Sequence, residues 1–504
     1  MKLFASSSAQ RLASFALLAV LIASLTAAAQ QASNASPVSG EAFQELRQTV
    51  SQLQAEVAEL HSQMRDMQAA SGCSAPSKES VHLAEASYST TDLRSPVEEL
   101  DLQTEGQPGT RPPAGSALSL TPEDRSILDY LRGTTTNVMI DGYYSYNFNE
   151  PIGRVNLLRA YDVSSNAFSL NQAAIIFDHP ADAASGHRFG ARLDLQFGQA
   201  TATSQGNPLN EPRPDIYRNI FQAFGTYVAP AAKGWSIDFG KFASSLGIEG
   251  NYTKDQVNYS RSYWFYFLPF YHMGFRTNLQ LTDKLAIKYW ILNGTNQVEP
   301  TNGFKDELFG FVLTPNKNLS WTVNYYFGNE HPSAVPTSNC GPVPVQPGLC
   351  FEPVVPAPDG KLHIFDTYVT WQANSKFSFG LEGDYVIQRL WANAAPGHPS
   401  APSYTTGGEV YAQYQFTPQH AVAARAEYLS DRGGLFSGVT EALKEVTATY
   451  TYNVVDGFQL RTEWRRDWSN APVFLTSMPG KFTQQQNTAT LGLIWWFGRK
   501  QGAW

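Results

Sequence analysis

Long apolar runs are almost absent from this 504-residue chain. A spanning helix needs about 20 consecutive apolar residues; the stretch from Leu12 to Leu25 is shorter, and no other approaches it. A helical membrane bundle is therefore excluded. A basic excess is missing too: 36 Lys and Arg stand against 44 Asp and Glu, a formal net charge of -8, so nothing stands out that would neutralise phosphates and no nucleic-acid partner is expected. Cysteine is scarce, at three residues, and the Cys340 and Cys350 spacing without neighbouring His offers no zinc site. Only nine histidines occur, with no GxSxG elbow, which argues against a hydrolytic enzyme at a barrel wall or rim; His272, His363 and His420 fall near strand ends and read as rim residues. No cofactor or metal is expected.

Aromatic residues are abundant by contrast, at 13% with 24 Tyr and 11 Trp, yet the mean hydropathy is negative. Strands that alternate between a lipid face and a wet face dilute hydropathy in this way. The last strand shows the pattern: Ala489, Leu491, Leu493, Trp495 and Phe497 share one face, while the other is mostly small or polar. Such a segment resembles the terminal signal read by the barrel-insertion machinery, except that a tail from Gly498 to Trp504 follows it.

The chain divides by composition. Residues 1–29 read as a signal peptide, with Lys2 and Arg11 flanking the apolar run and Ala27-Ala28-Ala29 before a cut at Gln30. Residues 30–70 form a periplasmic coiled coil, with Phe43, Val50, Val57 and Met64 at a and Leu46, Leu53, Leu60 and Met67 at d. That a/d pairing leans towards two strands, whereas a barrel of this class assembles more often as a trimer, and a homotrimer is the expectation. Residues 71–133 are a linker containing a short helix at 121–132, capped by Thr121, begun by Pro122 and stopped by Gly133. Residues 134–497 form the barrel and 498–504 the tail. Cys340 and Cys350 share one Pro/Gly-rich loop and are disulfide candidates in an oxidising compartment, which leaves Cys73 for an intermolecular bridge or a free thiol.

Sixteen strand patterns follow Thr134, at about 137–147, 168–178, 187–198, 217–228, 235–242, 271–281, 284–292, 304–314, 318–328, 362–372, 376–389, 404–416, 420–430, 442–452, 458–468 and 486–497. In the third, Phe189, Ala191, Leu193, Leu195 and Phe197 alternate with Arg188, Gly190, Arg192, Asp194 and Gln196. Connections alternate between short, such as Thr282-Asp283, and long, such as 243–270 and 329–361. Short turns lie on the periplasmic side and long loops outside. The fold class is thus all-β and transmembrane: a 16-stranded antiparallel outer-membrane barrel with both ends in the periplasm.

A barrel of sixteen strands is wide enough to hold water. Arg188, Arg192, Arg276, Lys288, Arg425, Arg461 and Arg465 fall on inward positions. So do Asp141, Asp194, Asp238, Asp366, Glu382, Asp384, Glu409, Glu427, Glu445, Glu463 and Asp467. Arg425, Glu427, Arg461, Glu463, Arg465 and Asp467 read as an ion ladder on neighbouring strands. The long loop Ala243 to Phe270 is the candidate constriction, carrying Glu249, Lys254, Asp255, Tyr259 and Arg261, with Glu249 and Arg261 expected near the narrowest point. Its aromatic run Tyr263-Trp264-Phe265-Tyr266-Phe267 reads as an interfacial belt or, alternatively, a sugar track, the belt being the commoner arrangement.

Asp141-Gly142-Tyr143-Tyr144-Ser145-Tyr146-Asn147-Phe148-Asn149, Gly240-Lys241-Phe242 with Gly247-Ile248-Glu249, Asn258-Tyr259-Ser260-Arg261-Ser262, Leu268-Pro269-Phe270-Tyr271-His272-Met273-Gly274 and Asn293-Gly294 resemble the OmpL-like beta-barrel porins over about residues 134–497. More distantly the chain resembles phosphate-selective porins, but it lacks their Lys- or Arg-rich ladder. The resemblance implies an outer-membrane porin and supplies no functional residues. The expected function is passive diffusion of small hydrophilic solutes, general or weakly selective. The alternative is an envelope tether whose coiled coil contacts the cell wall while the barrel anchors it in the bilayer.

Overall fold

A computed structural model describes residues 133–205, 211–336, 354–356, 360–389 and 402–498. The signal peptide, the coiled coil, the helix at 121–132, Cys73, Cys340 and Cys350 lie outside the described residues.

Sixteen antiparallel strands close into one barrel. They are β1 (Thr135–Asn147), β2 (Ala167–His179), β3 (Phe189–Phe197), β4 (Ile220–Ala229), β5 (Trp235–Ala243), β6 (Tyr271–Gln280), β7 (Leu285–Leu292) and β8 (Asp306–Asn316). The second half runs β9 (Leu319–Asn329), β10 (Lys361–Gln372), β11 (Phe377–Arg389), β12 (Pro402–Thr417), β13 (His420–Arg432), β14 (Glu441–Val455), β15 (Phe458–Ser469) and β16 (Gln485–Gly498). Each strand pairs with its sequence neighbours, and β1 closes on β16 with Tyr143 opposite Gly492. Closure leaves no edge, which a bilayer demands of any sheet that crosses it.

Alternation sets the two surfaces. On β3, Phe189, Leu193 and Phe197 are exposed while Asp194 and Gln196 are buried; on β16, Leu491, Trp495 and Phe497 face out while Thr488, Thr490 and Gly492 face in. Outward-facing rings pair across strands, as Phe239 with Phe275 and Phe458 with Trp495. This is the reverse of a soluble protein, with the apolar face outside and the charges within.

All sixteen sequence-read strands are present. The fourth starts three residues late because Pro214–Tyr217 forms a helical turn before Ile220. Two small ribbons went unread in the long loops, Ala334–Pro336 with Val354–Pro356 and Phe474–Leu475 with Phe482–Thr483. Runs of two or three residues are too short to show a period.

Candidate pore constriction

The connection 244–270 joins adjacent strands β5 and β6, yet its middle reaches inward side chains of β1, β2, β3, β10, β11, β13 and β15. A backbone lowered into a barrel must find partners for its amides and carbonyls. Wall carboxylates accept the amides: Asp366 from Gly247 at 3.2 Å, Glu382 from Ile248 at 2.5 Å, Glu463 from Tyr259 at 2.6 Å and Ser260 at 2.9 Å, Glu427 from Tyr263 at 2.9 Å and Trp264 at 2.8 Å. Wall arginines supply the carbonyls, Arg461 donating to Thr253 at 2.9 Å and Asn258 at 3.1 Å, Arg425 to Ser260 at 2.9 Å. Charge-assisted bonds of this kind are about twice as strong as neutral ones. The loop is therefore fastened across the lumen.

Three loop tyrosines complete the fastening. Tyr252, Tyr259 and Tyr263 donate to Asp194, Asp141 and Asp467 at 2.5, 2.7 and 2.6 Å. Burial holds each phenol well above its usual pKa, so all three remain proton donors. Two glycines make room for the loop. A methyl at Gly492 would overlap the ring of Tyr259, and one at Gly380 would press on the side chain of Ile248 at 2.8 Å.

Glu249 and Arg261 have different partners. Glu249 pairs with Arg425 at 2.7 Å and accepts from the Ser262 amide at 2.8 Å. Arg261 donates to the carbonyls of Tyr259, Asn251 and Gly250 at 3.0–3.2 Å, bracing the loop on itself. Among the described residues no ion pair joins the two. Lys254 and Asp255 form their own pair at 2.5 Å.

Two open spaces lie beside the loop, towards the short turns. One, of about 370 Å³, is bordered by Glu249, Asp255 and Gln256 of the loop and by Ser320, Thr370, Gln372, Ser378 and Gln413 of the wall. The other, of about 510 Å³, is bordered by Lys254 and Asp255 with Gln419, Asn453, Asp456 and Gln459. Asp255 belongs to both.

A closed barrel with an apolar outside, a charged inside and a loop drawn into its lumen has the architecture of a porin, and residues 133–497 match the family described as Putative beta-barrel porin-2, OmpL-like. The chain belongs to this family of outer-membrane porins. Among curated proteins none matches the chain. Its distant structural similarities include the outer membrane channel DcaP of Acinetobacter baumannii, at 10% identity over 73% of this chain and 98% of that one with a TM-score of 0.46. OprB of Pseudomonas putida matches at 10% over 75% and 96% with a score of 0.46. The anion-selective porin from Comamonas acidovorans matches at 7% over 72% and 99% with a score of 0.42.

In this porin the ion ladder runs through Glu445. Arg425 and Arg465 meet Glu445 at 2.7 and 3.4 Å, and Arg465 meets Asp467 at 2.7 Å, whereas Glu427 and Glu463 bind the loop amides. Arg192 pairs with Asp194 at 2.8 Å, and Arg188, just ahead of β3, donates to the Val228 carbonyl at 2.9 Å.

Two expectations are corrected. Tyr263 and Trp264 are not interfacial: Ser262 caps a short helix, Tyr263–Phe267, whose first two rings are fully buried against the inner wall. His272 does lie at the start of β6 but is buried rather than exposed at the rim, bonded to the Gly294 carbonyl at 2.9 Å and Ser244 at 3.0 Å.

A second inward loop, 148–166, was missed. Arg159 bridges Asp162 at 2.6 Å and Asp467 at 2.7 Å, both pairs fully buried. Tyr161 donates to Asn251 at 2.5 Å beneath the Arg261 guanidinium, its phenol raised by burial. The available signal was Leu157-Leu158-Arg159-Ala160-Tyr161, an apolar stretch that a solvated loop does not need.

Proposed function

We infer that this porin passes small hydrophilic solutes by passive diffusion, with weak selectivity. The observation that carries the reading is the pair of spaces beside the fastened loop, bordered by amides, hydroxyls and charges of both signs. Fixed polar groups of mixed sign replace part of a solute's hydration without committing to one chemistry. Glu249, Lys254, Asp255, Tyr259 and Arg261 belong to the constricting loop, and Arg188, Arg192, Asp194, Arg425, Glu427, Arg461, Glu463 and Arg465 to the wall that surrounds it.

In this reading the short turns and both chain termini face the periplasm, the insertion machinery reads β16, and three copies assemble. Liposome swelling with sugars, amino acids and anions of graded size tests it. Rates should fall steeply with size and little with chemistry; the absence of swelling for every solute would refute a diffusion channel.

A further inference from the structure

We propose that Asp366, Glu382, Asp384 and Glu409 form a calcium site that pins the inward loop to the wall. Asp366 and Asp384 stand directly opposite each other on β10 and β11, and Glu382 opposes Glu409 on β11 and β12. Like charges directly opposite across a sheet repel, and these four are 2–4% exposed. The donors around them are few. Asn324 and the Gly247 amide serve Asp366, and the Ile248 amide serves Glu382. No amide, hydroxyl, ammonium or guanidinium group donates to Glu382 Oε1, to either carboxylate oxygen of Asp384 or to Glu409 Oε2, which face one another.

Geometry favours a cation over chance crowding. Carboxylate oxygens of Asp366, Glu382 and Asp384 lie within 4.8 Å of one another. Calcium binds oxygens at about 2.3–2.6 Å, so ligands on opposite sides of one ion stand about 5 Å apart. Glu409 lies outside that trio and points to a ligand independently: its unpartnered oxygen is buried, and the residue borders, with Glu382 and Glu249, a cavity of about 40 Å³ between loop and wall. That volume admits one or two waters beside an ion. Hard oxygen donors, three or four negative charges and room for water fit calcium better than magnesium, which demands a tighter octahedron. Because Asp366 and Glu382 also hold the Gly247 and Ile248 amides, the ion tightens the loop as it binds.

The test is calorimetric titration of CaCl2 into the full-length folded protein in detergent after chelation, with MgCl2 and KCl as parallel arms. One site per chain is expected, with a Kd of roughly 10⁻⁶–10⁻⁴ M, at least tenfold weaker for magnesium. Asp384→Asn and Glu409→Gln should each weaken calcium about tenfold or more, while Asp182→Asn in an exposed turn should not. Calcium should also raise the wild-type thermal midpoint by mass action, which needs no variant to fold. Absence of saturable calcium binding to the wild type, or binding that survives both substitutions, overturns the site. The readout does not involve solute flux, so it fails independently of the channel reading.

Discussion

The carboxylate of Glu249 and the guanidinium of Arg425 meet at 2.7 Å with side chains that are 4% and 0% exposed. Arg425 also holds Glu445 at 2.7 Å and the Ser260 carbonyl at 2.9 Å, so one wall cation serves two acids and the loop backbone. Removing it leaves buried Glu249 without its ion pair and leaves Glu445 with Arg465 alone. Arg425→Met should cost about 3–5 kcal/mol, the usual penalty for breaking a buried pair from one side, and should free the loop. Thermal unfolding and single-channel noise in planar bilayers check this; an unchanged midpoint together with a quiet channel would remove the clamp. Glu249→Gln keeps an acceptor for the Ser262 amide and should instead alter conductance or ion preference.

Gly492 and Tyr259 provide a steric test. Any side chain at 492 must displace the Tyr259 ring, which carries the bond to Asp141. Gly492→Ala should destabilise by about 1–3 kcal/mol, as overpacking does, and Gly492→Ala with Tyr259→Ala should cost less than the two single changes summed. A double-mutant cycle by thermal or denaturant unfolding measures the coupling. Strict additivity would mean that the ring does not rest on this strand.

Asp255 borders both spaces and its side chain is partly exposed, at 15%. Its charge therefore faces passing ions as well as the buried Lys254 ammonium. Asp255→Asn should lower the cation-to-anion permeability ratio on the order of twofold, the scale of a screened charge at a wet surface, and should also lower the thermal midpoint, because it weakens the ion pair of a Lys254 side chain that is only 3% exposed. Reversal potentials in a salt gradient check the first part and melting curves the second.

Period-2 alternation made the barrel legible, because each strand must present one face to lipid and one to water; Leu491 and Trp495 outside with Thr490 and Gly492 inside is the sequence pattern itself. Length and charge made the loop 244–270 legible as an inward segment. The partners were not. Nothing in the string of residues assigns Glu463 to the Tyr259 and Ser260 amides rather than to Arg461, since that choice depends on how far the loop crosses the lumen. Arg159 was hidden for the same reason: its partner Asp467 is distant in sequence and adjacent only once the barrel closes.

Alkaline pH should loosen the inward loop. Tyr252, Tyr259 and Tyr263 titrate near 10.0 when unfolded and well above that in the fold, chiefly through burial beside the carboxylates that accept their hydrogen bonds. Between those values the folded chain holds more protons than the unfolded chain, so stability falls as pH rises. The contribution is fully present below about pH 10 and disappears as pH passes through the folded values. Replacing all three by Phe removes the proton to be lost and leaves three wall carboxylates each short of a donor. The triple variant should be less stable at neutral pH by roughly 1–3 kcal/mol per site and should show a shallower decline above about pH 10 than the wild type. Melting curves across that range compare the slopes, which subtracts the effect of every other tyrosine and lysine. Parallel slopes would mean that the loop phenols do not hold the fold together, and the fastening would then rest on the amide–carboxylate bonds of Asp366, Glu382, Glu427 and Glu463 and the arginine–carbonyl bonds of Arg425 and Arg461.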